Sequence, residues 1–395
     1  MTAITLPMTG PGSIPLIHLR FAAFIAAIVL YAFAGSPTPD NPGMVEAVVG
    51  ILLACSVGLP FLARSPSEPV TPGHILLLYG MIVPVLIAAV SGANPGQVVR
   101  DLIAFMFLCL PVFALSLIGK SDRRFKVLTI AIAGCGMIFA ARALAGGRGY
   151  LPEPGELFYL ANAPSVLFAA LLVLGLAGRA VFGSMSLRSL LTALAFSMLF
   201  LIPFLAMVQD VQRAPFGALV ITFGFLVLAA IWKAPHRAIV VFAVLTMLAM
   251  AAMPYLTDIT WGMVDKTAHV GLNMRLHELR AVIDAAGQNP IGVIFGLGWG
   301  ADYVSPAVGG LSVPFTHSLL TYMLLKTGVF GLCLTVFYIW TALSNLASSA
   351  GRDLVLSLAL FWPVVIPVFL YASYKSFDFG LILLLSLLAR KEKTV

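Results

Sequence analysis

The chain has 395 residues, 61% of them hydrophobic and only 10% charged, with a net charge of +7. A soluble globular protein needs a far more polar surface, so the composition excludes that class and implies a polytopic membrane protein. The basic excess does not point to nucleic acid, because the basic residues sit in short loops between apolar runs and form no continuous face.

Runs close to the roughly 20 apolar residues that cross a bilayer follow one another from the N-terminus. They lie near 16–34, 45–63, 74–91, 98–118, 125–144, 160–177, 190–208, 215–232 and 237–254. The first ends in Ala32-Phe33-Ala34, which resembles a signal-peptidase site. It is expected to be retained, because so many further spans follow it. Cys55, Cys109, Cys135 and Cys333 all fall inside apolar runs without a CxxC spacing, and are expected to be small core residues. A polar segment over 255–315 intervenes before apolar runs resume near 316–344, 353–371 and, briefly, 377–389.

The expected fold is therefore all-α, with about twelve transmembrane helices. Helices one to nine occupy residues 1–254, one large loop occupies 255–315, and helices ten to twelve with a short tail occupy 316–395. No internal repeat of the kind that marks many transporters is visible. With a cytoplasmic N-terminus, fourteen of the 23 Lys and Arg residues lie on the cytoplasmic side, seven outside, and Arg142 and Lys326 within spans. The positive-inside rule supports that orientation, which makes the long loop extracytoplasmic and both termini cytoplasmic.

The loop holds most of the chemistry. Leu276, Leu279 and Ile283 fall at helical spacing and suggest a short helix against the membrane surface, capped by Asn273 and stopped by Gly287 and Pro290. On it Arg275 neighbours Glu278 and Arg280 neighbours Asp284, while Arg275 and Arg280 point in different directions. The plain reading is two surface ion pairs of little energetic weight. The run from Gly292 through Gly296 and Gly298 to Gly300 lacks the Lys-Ser/Thr of a P-loop, so a flexible turn re-entering toward the membrane is expected. Its backbone N–H groups are also free, on sequence alone, to cradle a phosphate. His317 opens the next span, where an interfacial histidine is common. Arg213 sits between two closely joined spans, where a local pair with Asp210 is the plain reading.

Taken in order, Arg275, then Asn289-Pro290-Ile291-Gly292 with Gly296 and Gly298, then His317, then Lys326-Thr327-Gly328-Val329-Phe330-Gly331 resembles the signature of the O-antigen ligase and polysaccharide polymerase family. Arg213 resembles the upstream arginine of that family, and Tyr159-Leu160-Ala161-Asn162-Ala163-Pro164 is similar to the opening of one of its middle spans. Leu279 stands where a tryptophan is common, and Ser318 where an asparagine usually follows the histidine.

The resemblance implies a glycosyltransferase of the bacterial inner membrane with its site on the periplasmic face. Its donor is a glycan on undecaprenyl diphosphate, and its acceptor is a hydroxyl on a glycan or lipid in lipopolysaccharide or exopolysaccharide assembly. It implies His317 as the catalytic base and Arg213 and Arg275, with Arg280 as a third member, on the diphosphate; no cofactor or metal is expected, because guanidinium groups can stabilise the leaving charge. Asp302 and Glu278 remain as alternative bases. No carboxylate pair suits a double displacement, so inversion is expected. Two other classes stay open. A transporter or channel would use Lys326 and the Pro363/Pro367 pair, and a peptidoglycan glycosyltransferase of the shape, elongation and division type would rely on an acidic loop residue.

Overall fold

The computed structural model describes residues 16–37, 43–57, 71–119, 121–146, 159–183, 186–210, 212–233, 235–236 and 274–389. The expected span near 237–254, the Asn273 cap and the first part of the long loop lie outside them. The described chain is helical almost throughout. In order it runs α1 (Leu16–Ala34), α2 (Met44–Val57), α3 (Thr71–Ser91), α4 (Pro95–Leu108), α5 (Leu110–Ile118), α6 (Asp122–Gly146), α7 (Pro164–Gly183), α8 (Leu187–Gln209) and α9 (Arg213–Lys233). After the undescribed stretch come α10 (Met274–Gly287), α11 (Pro290–Phe295), the strands β1 (Tyr303–Ser305) and β2 (Leu311–Val313), then α12 (Leu319–Ala350), α13 (Leu354–Phe369) and α14 (Phe377–Leu388). Among the described residues eight stretches are long and apolar enough to cross a membrane, with α4 and α5 forming one stretch, and α2, α13 and α14 are shorter apolar helices. This is the make-up of an all-α polytopic membrane protein.

The short last helix is the centre of the molecule. Every residue from Phe377 to Leu387 is buried, and α14 packs against α4, α5, α6, α7, α12 and α13. A helix apolar on all sides suits a protein interior or lipid alike, and here its contacts put it inside. Twelve residues rise only about 18 Å, short of the ~30 Å hydrocarbon core, so packing rather than span length holds it. Asp378 pins its N-terminal end: one carboxylate oxygen accepts from Tyr31 of α1 at 3.1 Å and the other from the Ser165 N–H of α7 at 2.9 Å. The second bond satisfies a first-turn N–H of α7. Gly380 lets the helix reach the Phe107 carbonyl, which a Cβ would meet at 2.1 Å. That carbonyl lies at the break between α4 and α5, where Pro111 has no N–H to offer it.

Of the four cysteines, Cys109 and Cys135 are buried, but Cys55 and Cys333 are exposed. The expectation that all four are core residues fails for these two. In lipid an outward face is as apolar as an inward one, so an apolar run does not say which way a residue points.

The described part of the polar segment, residues 274–315, is docked against α3 and α12 where a flexible turn was expected. Pro84 lacks an N–H, which leaves the Gly80 carbonyl of α3 without its helical partner; the Trp299 indole donates to it at 2.8 Å. The Trp299 backbone N–H donates to the Pro84 carbonyl at 3.3 Å. On α12, Gly328 takes φ 66° and ψ −170° and interrupts the helical ladder. The freed carbonyls of Leu325, Lys326 and Thr327 accept from Leu297 N–H at 2.9 Å, Gly298 N–H at 3.1 Å and the Tyr79 hydroxyl at 2.7 Å. Gly296, at φ 83°, lies so close that a Cβ would stand 2.4 Å from the Lys326 carbonyl. The two glycine-bearing motifs are thus halves of one joint. Its N–H groups are engaged from Gly296, bonded to Gly292, through to Gly300, bonded to Asp101 at 2.7 Å. A phosphate cradle in this run is thereby excluded.

Candidate functional site

Helix α10 places the first components. Its terminus at Gly287 agrees with the expected stop, and Asn289 caps the following α11 by accepting from Ile291 N–H at 3.0 Å. Glu278, Val282 and Ala286 are buried against α11, the hairpin and α12. Leu276 and Ile283, the stripe expected against the membrane surface, are 61% and 51% exposed on the other side. The stripe turned into the protein carries a carboxylate, which hydrophobic spacing does not reveal.

Burying Glu278 requires partners, and it has several. The antiparallel hairpin pairs Tyr303 with Val313 and Ser305 with Leu311, with Gly309 and Gly310 at positive φ between the strands. It turns Tyr303 and Ser305 inward. The Tyr303 hydroxyl lies 2.7 Å from Glu278 Oε1 and 3.2 Å from Ser305 Oγ. The same Oε1 accepts from the His317 backbone N–H at 3.1 Å and stands 2.9 Å from His317 Nδ1. On the other oxygen, Arg275 Nη1 is 3.6 Å from Oε2. Burial acts to raise the Glu278 carboxyl, but the hydrogen bonds from His317 and Tyr303 outweigh it and hold it below the ordinary carboxylate value. Burial also raises the Tyr303 phenol.

An ionised carboxylate can only accept, so His317 Nδ1 carries the hydrogen, and in the neutral ring Nε2 is the acceptor. Side-chain exposure is 2% for Glu278, 28% for His317 and 39% for Arg275. The carboxylate is sequestered while the imidazole and guanidinium face outward. His317 is not a lone interfacial histidine.

The backbone around His317 is held from both sides. Ser318 is the N-cap of α12, accepting from Thr321 N–H at 3.2 Å. Serine and asparagine are both strong N-caps, which accounts for the residue found there. The Tyr374 hydroxyl donates to the Thr316 carbonyl at 3.0 Å. Arg213 opens α9, and Tyr371 follows the end of α13. Burial raises the Tyr371 phenol, while the Ala214 backbone and the charges of Arg213 and Arg275 act the other way. Arg213 and Arg275, far apart in sequence, therefore converge on Tyr371. Arg280 does not join them: it is exposed on α10, and among the described residues it makes no ion pair with Asp284 or any other group. Asp284 is also exposed, and water competes for both.

Lys326, which the sequence leaves alone in mid-span, is fully buried and paired with Asp101 of α4 at 2.6 Å. It also donates to the Ala301 carbonyl at 2.6 Å. Asp302 is exposed, near Gln97. Among the described residues no three His, Cys, Asp or Glu side chains gather as metal ligands would. The sequence reasoning passed over Tyr371, Tyr303 and the pairing of Glu278 with His317. The alternation Tyr303-Val304-Ser305 and Leu311-Ser312-Val313 around Gly309-Gly310 was the available signal for the hairpin. No model of a known protein family matches this chain, and no curated protein matches it.

Proposed function

We propose that the protein is a membrane glycosyltransferase that moves a glycan from undecaprenyl diphosphate to an acceptor hydroxyl, in the manner of O-antigen ligases and polysaccharide polymerases. In this reading it lies in the bacterial inner membrane with about twelve spans, and Arg213, Arg275 and His317 face the periplasm. The observation that carries the reading is the Glu278–His317 pair at 2.9 Å, its imidazole 28% exposed, with Arg275 on the same carboxylate.

The step is a single displacement. The acceptor oxygen bonds to the anomeric carbon, the bond from that carbon to the phosphate oxygen breaks, and undecaprenyl diphosphate leaves with the electron pair. The acceptor proton passes to His317 Nε2. Glu278 keeps the imidazole in the tautomer that can receive it and balances the imidazolium, a role for which its low carboxyl value suits it. Arg213 and Arg275 stabilise the negative charge that grows on the diphosphate.

Two observations bear on the alternatives. Lys326, the basic residue a transporter would use, is tied to Asp101 and the Ala301 carbonyl. Glu278, the acidic loop residue a direct carboxylate base would use, is 1% exposed and bonded to His317 and Tyr303.

The decisive experiment is His317→Ala in detergent with a lipid-linked glycan donor. Transfer is expected to fall by about 10²–10⁴-fold with donor affinity nearly unchanged. Transfer at the wild-type rate would refute the assignment, and lost donor binding would move His317 to the donor site.

A further inference from the structure

Lys375 ends the one-turn 3-10 helix Ala372–Lys375 between α13 and α14. Its ammonium lies 5.0 Å from the ring centre of Phe315, 5.2 Å from Tyr322 and 5.8 Å from Tyr374. Aromatic faces attract a cation but supply neither a full counter-charge nor a hydrogen-bond acceptor. Among the described residues no hydrogen bond or ion pair reaches this amine. The carboxylate that bears on it, Asp101, is already bonded to Lys326 at 2.6 Å and to Gly300 N–H at 2.7 Å.

Three cations share this region: Lys326 and Arg100 both act on Lys375, and Asp101, the carboxylate that opposes them, already carries the Lys326 pair. Burial pushes the Lys375 amine down to about 7; Asp101 opposes this, and Lys326 and Arg100 add to it. A half-buried ammonium in this state gains from any anion that reaches it.

This cluster is distinct from the arginines. Arg213 and Arg275 act on Tyr371, whereas the charges that act on Lys375 are Asp101, Lys326 and Arg100. His317 touches both: Nδ1 is 2.9 Å from Glu278, whose other oxygen faces Arg275, and its ring is edge-on to Phe315 of the Lys375 collar at 6.0 Å. We propose that Lys375 and its collar of Phe315, Tyr322 and Tyr374 form an anion subsite beside His317 that takes a carboxylate or phosphate on the acceptor, so that the acceptor is an acidic glycan. That the anion belongs to the acceptor rests on the transferase reading; that the subsite binds an anion does not.

The test uses the whole protein in detergent and an N-hydroxysuccinimide ester of acetate, with acetylation at each lysine read by peptide mass spectrometry. A depressed amine is nucleophilic near neutral pH, so Lys375 is expected to react readily there. Glucuronate or inorganic phosphate at about ten times its half-protecting concentration should slow that reaction about tenfold, by mass action. Glucose should not, and exposed Lys126 should be unaffected by either anion. Whichever anion protects better identifies the acidic group. Protection should fade from about pH 6 to about pH 8.5, as the amine loses its proton around 7. It should persist in Arg275→Gln protein. An unreactive Lys375, no protection by either anion, equal protection by glucose, or protection abolished by Arg275→Gln would each overturn the subsite. Absence of transfer by the wild-type protein from a lipid-linked glycan donor would remove the transferase reading and leave these binding results standing, so the two failures are separable.

Discussion

At the residue scale the organising fact is that one buried carboxylate serves two outward groups. Glu278 holds His317 through Oε1 and faces Arg275 through Oε2. Replacing it by glutamine keeps the size but leaves an amide that can no longer balance an imidazolium. Glu278→Gln is expected to lower kcat by about 10²-fold while donor affinity changes less than about twofold; equal loss of both would mark Glu278 as a donor ligand instead. The same residue sets a pH dependence. Its folded carboxyl lies below the ordinary value of 4.5, so its contribution to stability is present above that value and is lost as pH falls through the lowered one. Acid unfolding followed by tryptophan fluorescence should show this loss in wild-type protein and a flatter profile in Glu278→Gln. For Arg275 the expected outcome is that alanine abolishes transfer and lysine recovers only part, since lysine keeps the charge but not the planar fork that grips two phosphate oxygens. Transfer by wild-type protein should persist in excess chelator, and activity restored by Mg²⁺ or Mn²⁺ would contradict the arginine role.

At the element scale, two helix defects and one glycine run make a single joint. Pro84 in α3 and Gly328 in α12 leave carbonyls that the Leu297–Trp299 backbone and the Trp299 indole satisfy. A defect in a membrane helix is tolerated where neighbouring groups take up its polar atoms. The joint carries α11 and the hairpin, and through them the Tyr303 side of the Glu278 site. Gly296→Ala should therefore be severe, since its φ is 83° and the added Cβ would meet the Lys326 carbonyl at 2.4 Å. Gly287→Ala, with nothing within 4 Å of its Cβ position, is the control. Thermal unfolding in detergent should show a large loss for the first and almost none for the second; equal midpoints would refute the joint.

For the whole molecule, the bundle gathers residues that the chain keeps far apart. The start of α9, the end of α13 and the start of α10 come together where Arg213 and Arg275 both act on Tyr371. The opposite ends of helices are closed by other pairs, such as Arg179 of α7 with Asp353 before α13 at 2.5 Å. If the convergent end faces outward, cysteines at positions 213 and 275, in protein lacking the four native cysteines, should both react with a membrane-impermeant thiol reagent applied from outside. Labelling of position 213 only after the membrane is opened would reverse the orientation and with it the periplasmic site.

Run length and composition by themselves determine that this is a helical membrane protein, because about twenty apolar residues in succession have few other stable fates. The apolar runs within the described residues are helical, although the run near 98–118 breaks into α4 and α5 and several ends differ by a turn or more; local chemistry placed the ends at Gly287 and Asn289. Arg275 and His317 were legible too, since polar residues are rare enough in such a chain to stand out. Tertiary structure decided the rest. Which face of α10 is inward depended on partners for Glu278 that come from the hairpin and from His317, and no periodicity within α10 encodes them. That the short run near 377–389 is the core depended on Asp378 meeting Tyr31 and Ser165, and on Gly380 meeting Phe107. In lipid every helix is apolar all round, so only packing and the pairing of scarce polar groups distinguish inside from outside.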